Sequence, residues 1–420
     1  MFRRSSGLSA GKYPVPGLDL NYAVTGALAG IETFTRASTA WAVNGAGMLT
    51  QHAANAPRFD YDPTTLQLRG LLFEEQRANM FLRSSGFSDA TWAKTRVSVS
   101  PNSMVAPDGS LTAGKIVETA TTGSHLIRQG LGTTTAGQTF ATTVFAKAGE
   151  RSVFTMLCSG ASLNRSAHFD LSSGTVTGGA AGLTGSQSIT RVGNGWYRCE
   201  AVFTIDASGT SGYVDYRLSN VANPVVTGAS YAGDGASGLY LWGAQLEVGG
   251  FATSYIPTGS ATVTRAMDVC TIPTSAFAFD ASEGTLFAEV RNLGTINWSS
   301  ARPVSFSDGT TSNLLEFYGD SPSSYAFNVS TGGANQANLS LAASSGAVNK
   351  LAGAYRLNDF AGAANGGAAL PDTAGTVPTI NLLHIGNRAI LARPYNGHIR
   401  RIAYYNTRIS NHAVERIAAP

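Results

Sequence analysis

Residues 139–147 read TFATTVFAK and residues 196–205 read WYRCEAVFTI. Both contain stretches in which apolar and polar side chains alternate with period two, the mark of a strand with one face buried. TRVSVS (95–100), SVFTML (152–157) and GLYLWGAQL (238–246) follow the same rule. Gly, Asn and Ser turns separate these runs at intervals of roughly 8–15 residues, a rhythm that predicts a sandwich or jelly roll and not alternating strands and helices. Pro257-Thr258-Gly259-Ser260 then reads as a linker. A second strand-rich block starts near Ala266 and includes TLFAEVR (285–291), residues 303–306, NLLEFY (313–318), residues 325–329, 349–357, 381–385 and GHIRRIAYYN (397–406).

Outside the strands the signals are sparse. Residues 1–20 hold Pro14 and Pro16 and read as an extended arm. Phe59-Asp60-Tyr61-Asp62-Pro63 predicts a strand running into a turn. GLLFEEQRANM (70–80) has helical composition, though its apolar residues cluster, and it predicts a short helix. SNHAVERIAA (410–419) predicts a terminal helix with Ser410 as N-cap. The tripeptide Thr-Arg-Ala occurs at 35–37 and at 264–266, each time ahead of a sandwich block, a likeness that chance alone would supply.

Composition narrows the class. Charged residues are 13% of 420, about half the usual share of roughly 25%, while hydrophobic residues are 43%. Disorder needs low hydrophobicity and high net charge, and neither is present. The net charge is +3, and no basic block stands out beyond Arg3-Arg4 and Arg400-Arg401, so no nucleic-acid partner is expected. The cysteines, Cys158, Cys199 and Cys270, lack metal-ligand spacing and are expected as buried thiols. Whether Cys158 and Cys199 pair is left open. Met1–Gly7 is not followed by the apolar run of a secretory signal, and no stretch approaches the roughly 20 apolar residues of a membrane helix. The expectation is synthesis in a bacterial cytoplasm without membrane insertion.

Several longer strings resemble phage and prophage tail-associated proteins. FTRASTA (34–40), APRFDYDP (56–63) and RGLLFEEQRAN (69–79) are similar to the opening module of such proteins. SDATWAK (88–94), APDG (106–109), FDL (169–171), GNGWYRC (193–199), WGAQLE (242–247) and FATSYIPT (251–258) are similar to the carbohydrate-binding-like jelly roll that follows it. EGTL (283–286), LHIG (383–386) and GHIR (397–400) leading to Tyr404-Tyr405 resemble a concanavalin A-like or laminin-G-like domain. The resemblance implies an all-β chain of tandem jelly-roll or β-sandwich domains behind a small N-terminal module. Its divisions would be an extended arm (1–20), a virion-docking module (21–80), a carbohydrate-binding-like jelly roll (81–262) and a concanavalin A/laminin-G-like sandwich (268–420). It further implies location in the virion, adhesion to host cell-surface polysaccharide, other virion proteins as partners through residues 1–80, and a homo-oligomer, with a trimer favoured.

Catalytic patterns are weak. Glycosidases place two carboxylates across a cleft, about 5–9 Å apart. No E-x-D strand motif occurs, Glu74-Glu75 would point apart on a strand, and Glu283 and Glu289 would lie about 20 Å apart along one. The histidines, His52, His125, His168, His384, His398 and His412, are scattered. Sugar binding uses aromatic faces with amide and carboxylate side chains. The candidates are Trp298, Tyr318, Trp92, Trp196, Trp242 and Gln245, with Tyr197, Tyr216 and Tyr240 behind them. Strand alternation makes core residues of many such aromatics, so Trp298 in a polar turn is the better exposed one. Asp206, Asp215, Asp234 and Asp308 could serve a calcium site, yet none sits in a dense acidic loop, and no cofactor is expected. N-x-S/T spacings at Asn164, Asn297, Asn328 and Asn338 are expected by chance in so Asn- and Ser-rich a chain. The reading is a non-catalytic virion structural protein, a fibre, spike or decoration, that binds host glycan. A capsule or polysaccharide depolymerase is the alternative, and a purely architectural virion protein the second.

Overall fold

The computed structural model describes residues 15–160, 164–179, 187–210, 212–222, 224, 228–296, 301–391 and 393–420. The chain is all-β, in β-sandwich units, as the alternation predicts. It forms two compact units, one spanning Phe34–Asp268, the other combining Val269–Pro420 with the residues before Phe34. A boundary near residue 80 was expected; residues 34–80 instead cluster with the strands that follow them.

Within 34–268 the two main sheets are built from β1 (Ala93–Thr95), β2 (Val97–Val105), β3 (Leu111–Glu118), β4 (Leu126–Gly130), β5 (Thr139–Lys147), β6 (Val153–Ser159), β7 (Asn164–Asp170), β8 (Thr175–Gly179), β9 (Gln187–Arg191), β10 (Trp196–Thr204), β11 (Tyr213–Ser219) and β12 (Gly238–Val248). They make two six-stranded sheets, β9-β10-β5-β12-β3-β2 and β8-β7-β6-β11-β4-β1. Phe140, Val144, Cys199 and Phe203 of the first meet Phe154, Met156, Cys158 and Phe169 of the second in one core. All three cysteines are free and buried. Cys158 and Cys199 sit on different sheets, and burial pushes both thiols up.

The segment 70–80 is not helical. It forms the strands Leu68–Phe73 and Arg77–Asn79, because its clustered apolar run suits a strand buried on both faces. Between these strands sits Glu74, in a buried ion network. Arg58 reaches Glu74 at 2.5 Å and Asp268 at 2.5 Å, Arg36 reaches Asp268 at 3.1 Å, and Arg265 pairs with Glu74. Ser254 donates to the same Glu74 carboxylate through its amide and its hydroxyl, both at 2.6 Å. These charged side chains are at most 1% exposed. The network joins the first residues of the unit to its last. Both Thr-Arg-Ala arginines belong to it, so that repeat is not idle. Burial raises the Glu74 carboxyl, but Arg265 and Arg58 outweigh it and hold it well below the usual carboxylate range.

In the other unit the strands are β13 (Val269–Pro273), β14 (Glu283–Asn292), β15 (Val304–Ser307), β16 (Leu314–Ser321), β17 (Ser324–Thr331), β18 (Ala334–Ala342), β19 (Asn349–Arg356), β20 (Asp359–Ala364), β21 (Leu370–Asp372), β22 (Leu382–Ile385) and β23 (Gly397–Tyr405). One sheet runs β21-β20-β19-β14-β23 and the other β13-β22-β15-β16-β17-β18. The expected arm is in part a strand: Leu18–Leu20 pairs antiparallel with β23. Residues 1–14 lie outside the described residues. Phe327 of β17 packs where a Cβ on Gly353 of β19 would stand 2.3 Å away, so the interior admits only glycine there. The terminal helix Asn411–Ile417 begins at Ser410, whose hydroxyl accepts from the Ala413 amide, as the sequence predicts.

Two outcomes follow for the unit 34–268. Replacing Arg58 by Met removes one of the guanidinium partners of each of two buried carboxylates and should cost about 3–5 kcal/mol in denaturant unfolding. Because Glu74 is depressed in the folded state, its contribution is present above its unfolded pKa. Thermal stability should therefore fall as the pH drops below roughly 4.3.

Candidate functional site

Strand parity sorts the aromatic candidates first. Trp92 is fully buried between Phe81 and Phe87, with ring centroids at 5.3 and 4.9 Å, and its indole donates to the Arg83 carbonyl at 3.1 Å. Trp196 donates to the Val105 carbonyl and Trp242 to the Thr112 hydroxyl, both at 3.0 Å, inside a second apolar cluster. Gln245 is wholly buried and pins the 251–258 segment, accepting from the Ile256 amide at 2.7 Å. Tyr216 is core with Tyr197 half-buried against it, and Tyr240 is half-buried against the Trp196 and Trp242 cluster. These four principal candidates, Trp92, Trp196, Trp242 and Gln245, are corrected to structural residues: each spends its face on packing and its polar atom on the backbone or a neighbouring hydroxyl. Trp298 and Asn297 lie outside the described residues.

The aspartates proposed for calcium are apart and separately engaged. Asp206 pairs with Arg165, Asp215 is held by Arg128 and Arg217, Asp234 caps Ser237, and Asp308 caps Thr310. Among the described residues no three His, Cys, Asp or Glu side chains gather into a metal-holding group.

Tyr318 is different. It lies on β16, whose alternate residues Leu315 and Phe317 are fully buried in the interior. Leu314, Glu316 and Tyr318 therefore share the opposite face. The register then draws a line across that face. Thr271 is opposite His384, His384 opposite Ser305, Ser305 opposite Glu316, Glu316 opposite Asn328, and Asn328 opposite Asn338. With strands about 4.8 Å apart, this polar row crosses roughly 24 Å of sheet. It is deepest in the middle, where Ser305 and Glu316 are 0% and 2% exposed, and Asn338 at its end is exposed.

Arg302 enters this row from the segment leading into β15. Its guanidinium stacks over the Tyr318 ring, 4.6 Å from the centroid, and its Nε is 3.6 Å from Glu316 Oε1. Tyr318 in turn donates to Asn338 Oδ1 at 3.1 Å. Beside Arg302, the Pro303 carbonyl accepts from the Gly386 amide at 2.8 Å, and the Gly386 carbonyl accepts from the Tyr395 amide at 2.9 Å. These bonds close the neck of the 387–394 loop, which carries Arg388 and Arg393. Ile390 and Arg393 both hold left-handed backbone, with φ of 61° and 68°, and Ile390 is 72% exposed. For a β-branched residue that conformation is strained, and such strain concentrates at binding sites.

The electrostatics are uneven. Burial holds the Glu316 carboxyl above its ordinary range, although Arg302 and Arg388 pull the other way. Burial also lowers Arg302, to about 10, with Arg388 and Arg393 adding to the effect against Glu316. Burial lowers His384, which shares a hydrogen bond with Ser307 at 2.9 Å. Arg388 Nε is buried here without a hydrogen-bond partner. A buried group left unpaired costs about 1–3 kcal/mol.

Sequence reasoning found Tyr318 and missed Glu316, Arg302 and Arg388. One signal was present. Asn328-x-Ser330 and Asn338-x-Ser340, dismissed as chance spacings, are period-two polar pairs on adjacent strands, and they mark this face.

No family model matches the chain. No curated protein matches it either. Solved structures give loose overlaps. The CBM40 domain of the Ruminococcus gnavus IT-sialidase, in a complex with α2,3-sialyllactose, is 17% identical over 34% of this chain and 84% of its own, with a TM-score of 0.29. NanB in complex with Optactamide is 16% identical over 35% of this chain and 26% of its own, at 0.30. A heptameric SAP-like pentraxin from Limulus polyphemus is 11% identical over 33% and 70%, at 0.26. Such scores assign no role; the polar face stands on its own geometry.

Glu316→Gln tests that geometry. A carboxyl raised by its fold is most stable when protonated, and its stabilising share is lost as pH rises through the folded pKa. The glutamine variant should melt at or above the wild-type temperature at pH 7, with the difference shrinking toward pH 4.

Proposed function

We propose that this chain is a non-catalytic glycan-binding protein of a bacteriophage particle. It grips host surface polysaccharide on the polar face of β13-β22-β15-β16-β17-β18. The observation that carries the binding reading is the convergence of Arg302, Glu316, Ser305 and Arg388. Arg302, Ser305 and Glu316 are buried, Arg388 is half-buried with a buried Nε that donates to nothing, and beside them lie the Tyr318 ring and a polar row that reaches the surface at Asn338. Sugar recognition needs that combination: fixed donors and acceptors for hydroxyls, and a ring edge or face for C–H groups.

The virion location rests on the long strings shared with tail-associated proteins in residues 34–79 and 88–258. In this reading residues 1–80 meet other virion proteins, the assembly is a homotrimer, and weak single sites act by avidity. Synthesis in the host cytoplasm belongs to the same reading. So does the lack of catalysis: Glu316 faces Arg302 and polar amides, and among the described residues no second carboxylate is placed across from it as hydrolysis requires.

The test uses the full chain with host cells and extracted host polysaccharide, recording retention and release of reducing ends together. Saturable retention without release is expected. Tyr318→Ala, which removes the ring under Arg302, should weaken retention about tenfold or more while leaving the melting temperature of the unit 34–268 unchanged. Release of reducing ends would contradict the non-catalytic reading, and absence of retention would contradict glycan binding.

A further inference from the structure

We infer that Asn194 is a modification site: its side-chain amide is lost by spontaneous cyclisation onto the Gly195 nitrogen, and the turn that carries it becomes a mixture of aspartyl and isoaspartyl forms. This lies outside the glycan-binding reading and does not depend on it.

Four asparagines in the chain precede a glycine: Asn44, Asn194, Asn365 and Asn396. Their sequence context ranks them alike, because a following glycine has no side chain to shield its nitrogen. The fold separates them. Asn44 Oδ1 accepts from the Ala46 and Met48 amides at 2.9 and 3.1 Å, and its Nδ2 donates to the Thr50 hydroxyl at 2.7 Å. Asn365 is exposed, yet its Oδ1 accepts from the Lys350 amide at 2.9 Å and its Nδ2 donates to Asn349 at 3.0 Å. The Gly366 nitrogen, which would have to attack there, donates to the Ala418 carbonyl at 3.0 Å. Asn396 is 3% exposed.

Asn194 is held in none of these ways. It is the tip of the turn between β9 and β10, and both it and Gly195 are exposed. Gly193, Asn194 and Gly195 all hold left-handed backbone, with φ of 85°, 48° and 76°. Glycine on both sides leaves no neighbouring Cβ to hinder Asn194. The bonds that close the turn leave the reacting pair out: the Val192 amide donates to the Trp196 carbonyl at 3.0 Å, and the Trp196 amide to the Gly193 carbonyl at 2.8 Å. Lys147 Nζ donates to the Asn194 carbonyl at 2.8 Å, which fixes the backbone and not the side chain. The Asn194 side-chain amide and the Gly195 N–H make no hydrogen bond among the described residues.

The chemistry needs only water. Solvent base removes the Gly195 amide proton, the nitrogen bonds to Asn194 Cγ, and the Cγ–Nδ2 bond breaks with release of ammonia. Water then opens the five-membered imide. Attack at Cγ restores the ordinary peptide link and leaves aspartate. Attack at the main-chain carbonyl leaves the link running through Cγ, an isoaspartate. Either product puts a negative charge in the turn that holds Lys147.

The test ages the full chain at mildly alkaline pH, folded and in urea, and maps the four Asn-Gly peptides by mass spectrometry. In the folded chain conversion at Asn194 should run about tenfold or more ahead of the other three, because each of those must first open locally. The rate should rise with pH, since the attacking nitrogen must lose its proton. In urea the four sites should convert at similar rates. Asn194→Gln, whose longer side chain closes a six-membered ring far more slowly, should remove the fast product and leave the other three sites unchanged. An unmodified Asn194, a lead for Asn44, Asn365 or Asn396 in the folded chain, or an Asn194 lead that persists undiminished in urea overturns the inference.

Discussion

Every strand in this chain has two faces, and a sandwich can spend only one of them on its interior. That constraint decides what each conspicuous side chain does. Trp92, Trp196 and Trp242, the largest aromatic resources in the sequence, fall to the interior or to the closing segments, each with its indole N–H satisfied. Glu316 and Tyr318 fall on the other face because Leu315 and Phe317 take the inside. The antiparallel register then turns single outward residues into a row, from Thr271 through Ser305 and Glu316 to Asn338. No residue on that line is adjacent in sequence to the next, and the row exists only because six strands are in register.

Burial gives the row its chemistry. An exposed Glu and Arg on a sheet would exchange partners with water and be worth little. Here Glu316 and Arg302 are almost completely withdrawn from solvent. Burial holds Glu316 toward its protonated form and lowers Arg302, with the neighbouring guanidiniums adding to the latter effect. The unit 34–268 uses buried charge differently. Arg36, Arg58 and Arg265 are matched to Asp268 and Glu74 at hydrogen-bonding distance, Ser254 takes part of the remaining capacity, and the result closes the unit end to end. In one cluster the charges meet at hydrogen-bonding distance, while in the other Arg302 Nε and Glu316 stand 3.6 Å apart.

The fold class was legible because period-two alternation and turn spacing are local. The helix expected at 70–80 was not a helix because composition cannot distinguish a short apolar run from a strand buried on both faces; the partners that decide, Arg58 and Asp268, lie 16 and 194 residues from Glu74. The strings WGAQLE and FATSYIPT stood out in the sequence for a structural reason. Gln245 and Glu247 hydrogen-bond the backbone of Thr253 and its neighbours, and they hold the closing segment in place. Of the candidate site, Tyr318 was visible as an aromatic residue on a strand. Glu316 was two residues away on the same face, and the Asn-x-Ser pairs of β17 and β18 were visible but read as noise. Arg302 and Arg388 carry no local signal. The β15–β22 pairing, extended by the bond between Pro303 and Gly386, brings their segments together.

The most direct test of the central claim is hydrogen–deuterium exchange of the full chain, with and without the polysaccharide it retains. Protection confined to peptides covering 301–340 and 384–396 is the predicted result. Protection confined to peptides within 34–268, with the 301–340 and 384–396 peptides unchanged, would contradict it.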